Sequence, residues 1–127
     1  MIAYNATTRD ITITVRPIYL DEQSDFIEKR FAFGYSVVIQ NESDAEVQLL
    51  RRHWTIQEDN GRLQDVEGKG VIGKQPVIEP GSTHQYNSSC VLTSFGATME
   101  GTYLMQRESG ERFRATIPRF SLHAAAN

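Results

Sequence analysis

The run of residues best suited by type and spacing to chemistry is Gly68-Lys69-Gly70-Val71-Ile72-Gly73, a literal G-x-G-x-x-G. Glycines at this spacing let a backbone approach a phosphate closely. In dinucleotide-binding units they follow a strand and open a helix whose N-terminus faces the pyrophosphate. Here Lys74-Gln75-Pro76 and then the β-branched pair Val77-Ile78 follow, so an apparent strand stands where the motif needs a helix, and the dinucleotide-fold reading fails. Two readings of the glycines stay open. In one, consecutive amides of the loop form an anion-binding nest without a helix, with Gly68, Lys69, Gly70, Gly73 and Lys74 as its residues and Arg62 near enough to add charge. In the other, the glycines supply positive φ or close backbone approach in a long connection between strands, and hold nothing.

No other reactive residues fall into a constellation. His53, His84 and His123 are far apart and lack a spacing such as H-x-x-x-H, which fits solvated or structural histidines better than metal ligands. Asp21-Glu22, Glu58-Asp59, and Asp65 with Glu67 could ligate a hard cation such as Mg²⁺. They flank turns without an EF-hand pattern, and read as solubility and turn groups. Ser82, Ser88 and Ser89 lie close to Cys90, but no G-x-S-x-G elbow accompanies them. Cys90 falls within an apparent strand and reads as a small buried hydrophobe. As the lone cysteine it excludes an internal disulfide and a C-x-x-C metal knuckle, which suits a reducing compartment. Arg51-Arg52 reads either as a phosphate or partner contact or as a solvated strand face. The expectation is therefore a protein that is not an enzyme and carries no cofactor and no metal site.

The elements that must position these residues are strands. Ile11, Ile13 and Val15 alternate with Thr12 and Thr14, the period of a half-buried strand in β-branched residues. Phe31 to Ile39 repeats the pattern, with aromatic and branched residues on one side and Ala32, Gly34 and Ser36 on the other. From Val47 to Gln57 the phase changes: Val47 and Leu49 hold one parity, and Leu50, Trp54 and Ile56 the other. A bulge near Arg51 and Arg52 would reconcile them, and Trp54 reads as a core plug. Asn60-Gly61, Pro80-Gly81 and Ser109-Gly110 mark tight turns between strands. Met99, Gly101, Tyr103 and Met105 share one face of a strand, and Phe113, Ala115 and Ile117 point inward from the last, which Pro118 should end or mark as an edge. No window has helical periodicity, and Asp21 to Lys29 reads as a polar loop or short helical turn. The first eight residues and the tail from Ala124 read as ragged ends.

Composition sets the outer bounds. The chain has 127 residues, 39% of them hydrophobic and 23% charged, enough for one independent core. A net charge of −3 with interspersed signs argues against a nucleic-acid binder, which would present a basic face. No apolar run approaches the roughly 20 residues of a membrane-spanning helix, and the N-terminal residues lack the basic and apolar regions of a signal peptide. The expectation is a cytoplasmic chain without membrane insertion, its oligomeric state unspecified.

Several segments in order resemble the ApaG family of small bacterial cytoplasmic proteins. They include Phe31-Ala32-Phe33-Gly34-Tyr35, Leu49-Leu50-Arg51-Arg52-His53-Trp54-Thr55-Ile56, and Gly68-Lys69-Gly70-Val71-Ile72-Gly73-Lys74-Gln75-Pro76. Gly96-Ala97-Thr98-Met99-Glu100-Gly101-Thr102-Tyr103 and Phe113-Arg114-Ala115-Thr116-Ile117-Pro118 continue the match, which runs from about Ile11 to Leu122. The resemblance implies an all-β, fibronectin type III-like, immunoglobulin-like sandwich of about seven to eight antiparallel strands. It implies one domain over residues 1–127, with a core of about 9–122 and flexible ends. It also implies a link to cobalt resistance and magnesium efflux, action through protein–protein contacts with an unidentified partner, and no established catalysis. For the glycine motif it implies, as an alternative, binding of a nucleotide or pyrophosphate.

Overall fold

Ile11, Ile13 and Val15 are fully buried, while Thr12 and Thr14 between them are only partly covered, so the alternation in the sequence is that of a strand with one face in the core. Residues 2–124 of the computed structural model are described here. Among them are nine strands: β1 (Tyr4–Thr8), β2 (Ile11–Tyr19), β3 (Phe31–Asn41), β4 (Val47–Glu58), β5 (Leu63–Lys69), β6 (Val77–Ile78), β7 (Thr83–Leu92), β8 (Gly96–Arg107) and β9 (Arg112–His123). They form two antiparallel sheets, in the orders β1-β2-β3-β7 and β5-β4-β8-β9, with β6 paired to the start of β4. This is the expected sandwich. A short 3-10 turn, Asp21–Gln23, falls inside the expected polar loop.

The strand count exceeds expectation because the first eight residues are not ragged. Tyr4 to Thr8 pair in unbroken register with Val15 to Ile11, and the Tyr4 ring lies 6.0 Å from that of Phe120. Their side chains show no clear apolar alternation, since ladder hydrogen bonds rather than burial order this strand. At the other end Ala124 is buried and its amide donates to the Phe95 carbonyl at 2.7 Å; the expectation for 125–127 lies outside the described residues.

Two register shifts shape the second sheet. One lies between Leu49 and Arg51 of β4, where the change of phase indicated a bulge. The extra residue turns odd-numbered inward residues (Val47, Leu49) into even-numbered ones (Arg52, Trp54, Ile56). The other lies opposite Pro118. Met99 pairs with Phe120 and Gly101 with Ile117, so two residues of β9 face one of β8. Pro118 marks an edge strand, as expected, but the bulge absorbs its missing N–H and β9 runs on to His123.

Trp54 sits in the centre of the core. Its ring lies 5.6 Å from Tyr35 of the first sheet, and 5.8 Å from Phe120 and 6.3 Å from Tyr103 of the second. One side of the sandwich is closed, with β9 packed against β1 and β2. On the other side the outer strands are β5 and β7, whose outer edges carry no neighbour.

Candidate functional site

The unpaired side encloses a cleft of 590 Å³ between β5 and β7. Tyr35, Trp54 and Met99 line its interior, Val66 and Lys69 its β5 wall, and Tyr86, Ser88 and Ser89 its β7 wall. Arg52 enters it because the β4 bulge puts Arg52, rather than Arg51, on the face that carries Trp54 and Ile56. Arg52 is partly buried. Its Nη1 donates to the Gly70 carbonyl at 2.9 Å and to that of Lys69 at 3.3 Å. Although the chain has 16 aspartates and glutamates, none of them lines the cleft.

The glycine motif is built around this arginine. Gly68 and Lys69 are the last residues of β5, opposite Arg52 and Arg51, so the expected long connection is shorter than read. A Cβ at Gly68 would lie 2.7 Å from the guanidinium; only glycine lets Arg52 lie flat across the strand. Gly70, at φ +64°, donates its N–H to the Leu50 carbonyl at 2.8 Å, the carbonyl set free by the bulge. Val71 and Lys74 then exchange two backbone hydrogen bonds, 2.8 and 3.0 Å. Ile72 and Gly73 between them have φ +46° and +72°, the type I′ geometry of a two-residue hairpin. No helix follows.

Of the residues read as an anion site, Gly68, Lys69, Gly70 and Gly73 therefore cluster at the cleft's β5 wall, with the amides of Gly70, Val71 and Lys74 already bonded to carbonyls. Lys74 is not among the residues lining the cleft, and its charge acts on His84 of β7. Arg62, read as a neighbour of the loop, sits at the opposite end of β5, with Nη1 3.6 Å from Glu58 Oε2.

Hydroxyls share the cleft with the guanidinium, whose charge acts on three tyrosines. The Tyr86 and Tyr103 hydroxyls are hydrogen-bonded to each other, and Ser88 bonds to Tyr35. Burial raises all three tyrosines above their ordinary 10.0 while the Arg52 charge pulls the other way, so they remain protonated donors at neutral pH. Burial, with a contribution from Glu58, pushes the Cys90 thiol up to about 12. That removes the thiolate a nucleophile needs and suits the expected small hydrophobe.

Two polar clasps that the sequence reading missed hold the ends of the cleft. At one end Glu58 is buried, and its Oε1 accepts from the Thr93 amide at 2.7 Å and the Ser94 amide at 3.1 Å, as well as from both hydroxyls. At the other end buried Asn41 of β3 donates to the Ile78 carbonyl of β6 at 2.9 Å. The Asn41 bond joins one sheet to the other, and the Glu58 bonds tie β4 to the connection that leaves β7 for β8. Parity could have found both: Glu58 continues the inward series Trp54, Ile56, and Asn41 continues Val37, Ile39. His53, by contrast, lies on the outer face of its sheet, 3.4 Å from Asp65. Among the described residues no group of three or more histidine, cysteine or acidic side chains is placed to hold a metal ion.

Comparison with known proteins agrees with the fold. The ApaG domain family model matches residues 21–107. Protein ApaG of Sinorhizobium fredii is 48% identical over 119 residues, covering 94% of this chain and 92% of that protein. The crystal structure of the putative ApaA protein from Bordetella pertussis superposes with a TM-score of 0.89 at 39% identity, over 93% of this chain and 96% of that one. The C-terminal domain of wzt has a TM-score of 0.55 at 7% identity, over 98% and 79% of the two chains, a likeness of fold alone.

Proposed function

This chain belongs to the ApaG domain family, and on that footing we propose that it is a non-enzymatic binding module that takes a segment of a protein partner into the cleft between β5 and β7. The observation that carries this reading is the composition of the open side. Aromatic rings (Tyr35, Trp54, Tyr86) line the same cleft as a guanidinium that makes no salt bridge among the described residues, the residue types that dominate binding energy at protein interfaces. Free strand edges on both walls add main-chain groups that a partner's backbone can pair with. We assign the partner to divalent-cation homeostasis in the cytoplasm, the setting of cobalt resistance and magnesium efflux that the resemblance to ApaG proteins implies.

Val91 offers the test, since it lines the cleft yet is 57% exposed. A Val91→Arg chain is expected to keep its melting temperature, lose the partner captured by cross-linking, and fail to restore cobalt tolerance to a strain lacking the protein. Capture of the same partner with full tolerance would overturn the reading.

A second reading is a small anion, a nucleotide or pyrophosphate, held at Gly68, Lys69, Gly70, Gly73 and Lys74. The absence of acidic groups from the cleft favours it. The engaged amides of Gly70, Val71 and Lys74 weigh against it, because a nest needs those N–H groups free. Pyrophosphate titration that leaves the Gly68 to Gly73 amide resonances unmoved would remove it.

A further inference from the structure

We propose that Arg52 recognises the free C-terminal carboxylate of the partner chain, the terminal residue's side chain seating on the apolar wall beside it. This rests on the cleft being the binding site.

Arg52 carries unspent charge. Arg9 pairs with Glu111 and Arg62 with Glu58, whereas Arg52 contacts only the carbonyls of Lys69 and Gly70, both through Nη1. Its Nε and Nη2 donors have no acceptor among the described residues. In a chain of net charge −3, a partly buried guanidinium in a cleft free of acids is complementary to an anion from outside.

The surroundings narrow the anion. Lys69 lines the β5 wall but is exposed, in register with Arg51, so Arg52 is the one partly buried cation among the residues lining the cleft. A carboxylate matches it one for one, while a phosphate dianion would leave charge uncompensated beside Trp54, Val66, Val71 and Met99. Those apolar groups instead suit the side chain attached to the carboxylate. The hydroxyl pairs Tyr35–Ser88 and Tyr86–Tyr103 each use one proton in the bond they share and leave one O–H to donate.

The clasps favour a chain end over an internal acidic residue. A segment dipping between the sheets to reach Arg52 meets the Asn41–Ile78 bond at one end of the cleft and the Glu58 bonds to Thr93 and Ser94 at the other. An internal segment must turn back out through the side it came in. A terminus simply stops there, with its preceding residues free to pair along the β7 edge.

The test compares acetyl-valyl-leucine as the free acid with the same dipeptide as its C-terminal amide, titrated into the isotopically labelled full chain. The acid is expected to give saturable shifts centred on Arg52 Nε and on the Lys69 and Ser89 amides, with the amide binding about tenfold or more weaker. Ser89→Glu places a carboxylate at an exposed position of the cleft wall and is expected to abolish acid binding with the melting temperature unchanged. Arg52→Lys should weaken binding without removing it. Equal affinity for acid and amide, binding unaffected by Ser89→Glu, or no saturation by the acid at roughly ten millimolar, a concentration suited to small fragments, would each overturn the proposal. So would inorganic phosphate displacing the acid at equal concentration, which would return the site to the small-anion reading. A partner still captured by Val91→Arg removes the binding-module reading itself. A partner lost with Val91→Arg, while acid and amide bind alike, overturns only the carboxylate assignment.

Discussion

Arg52 faces inward because β4 carries one residue too many. That bulge was legible from the change of parity between Leu49 and Leu50, but which of Arg51 and Arg52 it would turn inward depended on where the register slipped, and that is set by pairing with β8. Glu58 and Asn41 were missed for the opposite reason: polar residues at the ends of strands read as solvated by type, although parity placed both inward. His84 gives a prediction at this scale. Burial lowers its imidazole below the ordinary 6.5, and the Lys74 charge lowers it further. Between the folded value and 6.5 the unfolded chain binds a proton that the folded chain does not, so this contribution to stability is complete above 6.5 and is lost as pH falls through the folded value. An NMR titration should place the His84 midpoint below 6.5. Lys74→Gln should raise that midpoint part of the way, since burial is the larger cause; a midpoint unmoved by the substitution would deny the proximity of Lys74.

At the scale of elements, alternation and turn residues made most strands readable. Asn60-Gly61 and Ser109-Gly110 turn hairpins, and Pro80-Gly81 turns the chain from β6 in one sheet to β7 in the other, with Gly61, Gly81 and Gly110 all at positive φ. β1 was not readable, because nothing in its side chains announces a strand that a neighbouring ladder holds. The G-x-G-x-x-G spacing misled in a specific way, since each glycine answers a different demand: room for Arg52 at Gly68, and a bonded fold-back at Gly70 and Gly73. Their substitutions should therefore differ. Gly73 has positive φ and open space around it, so Gly73→Ala should cost about 1–2 kcal/mol, the price of a left-handed alanine. At Gly70 an added Cβ would also collide with the Lys74 carbonyl that closes the hairpin, and Gly70→Ala should cost more than about 3 kcal/mol. Denaturant unfolding of the two variants checks the order, and equal losses would mean that the hairpin opens freely.

For the molecule as a whole, the asymmetry between its two sides organises everything else. Composition and strand rhythm announced a sandwich, but no local pattern says which edges will be covered. That follows from sheet order, which brings β9 against β1 and β2 and leaves β5 and β7 apart. The separation of those edges is maintained at its ends, and Glu58→Ala should expose the fact. The substitution leaves the donors of Thr93 and Ser94 unmet and should cost about 3–5 kcal/mol. Amide exchange should accelerate at the Leu92 end of β7 and stay slow at the Thr83 end, where Asn41 still holds. Uniform acceleration along β7 would show that Glu58 does not act locally.

Fastening at both ends has a kinetic corollary. A slot pinned at its extremities yet open along its length admits a binding partner broadside, with no hinge to swing and no lid to lift before contact. Arrival should then proceed at ordinary diffusive docking rates for every peptide that fits, whatever its sequence. Discrimination among them is left to dwell time, so partners of this fold will be ranked by how slowly they leave.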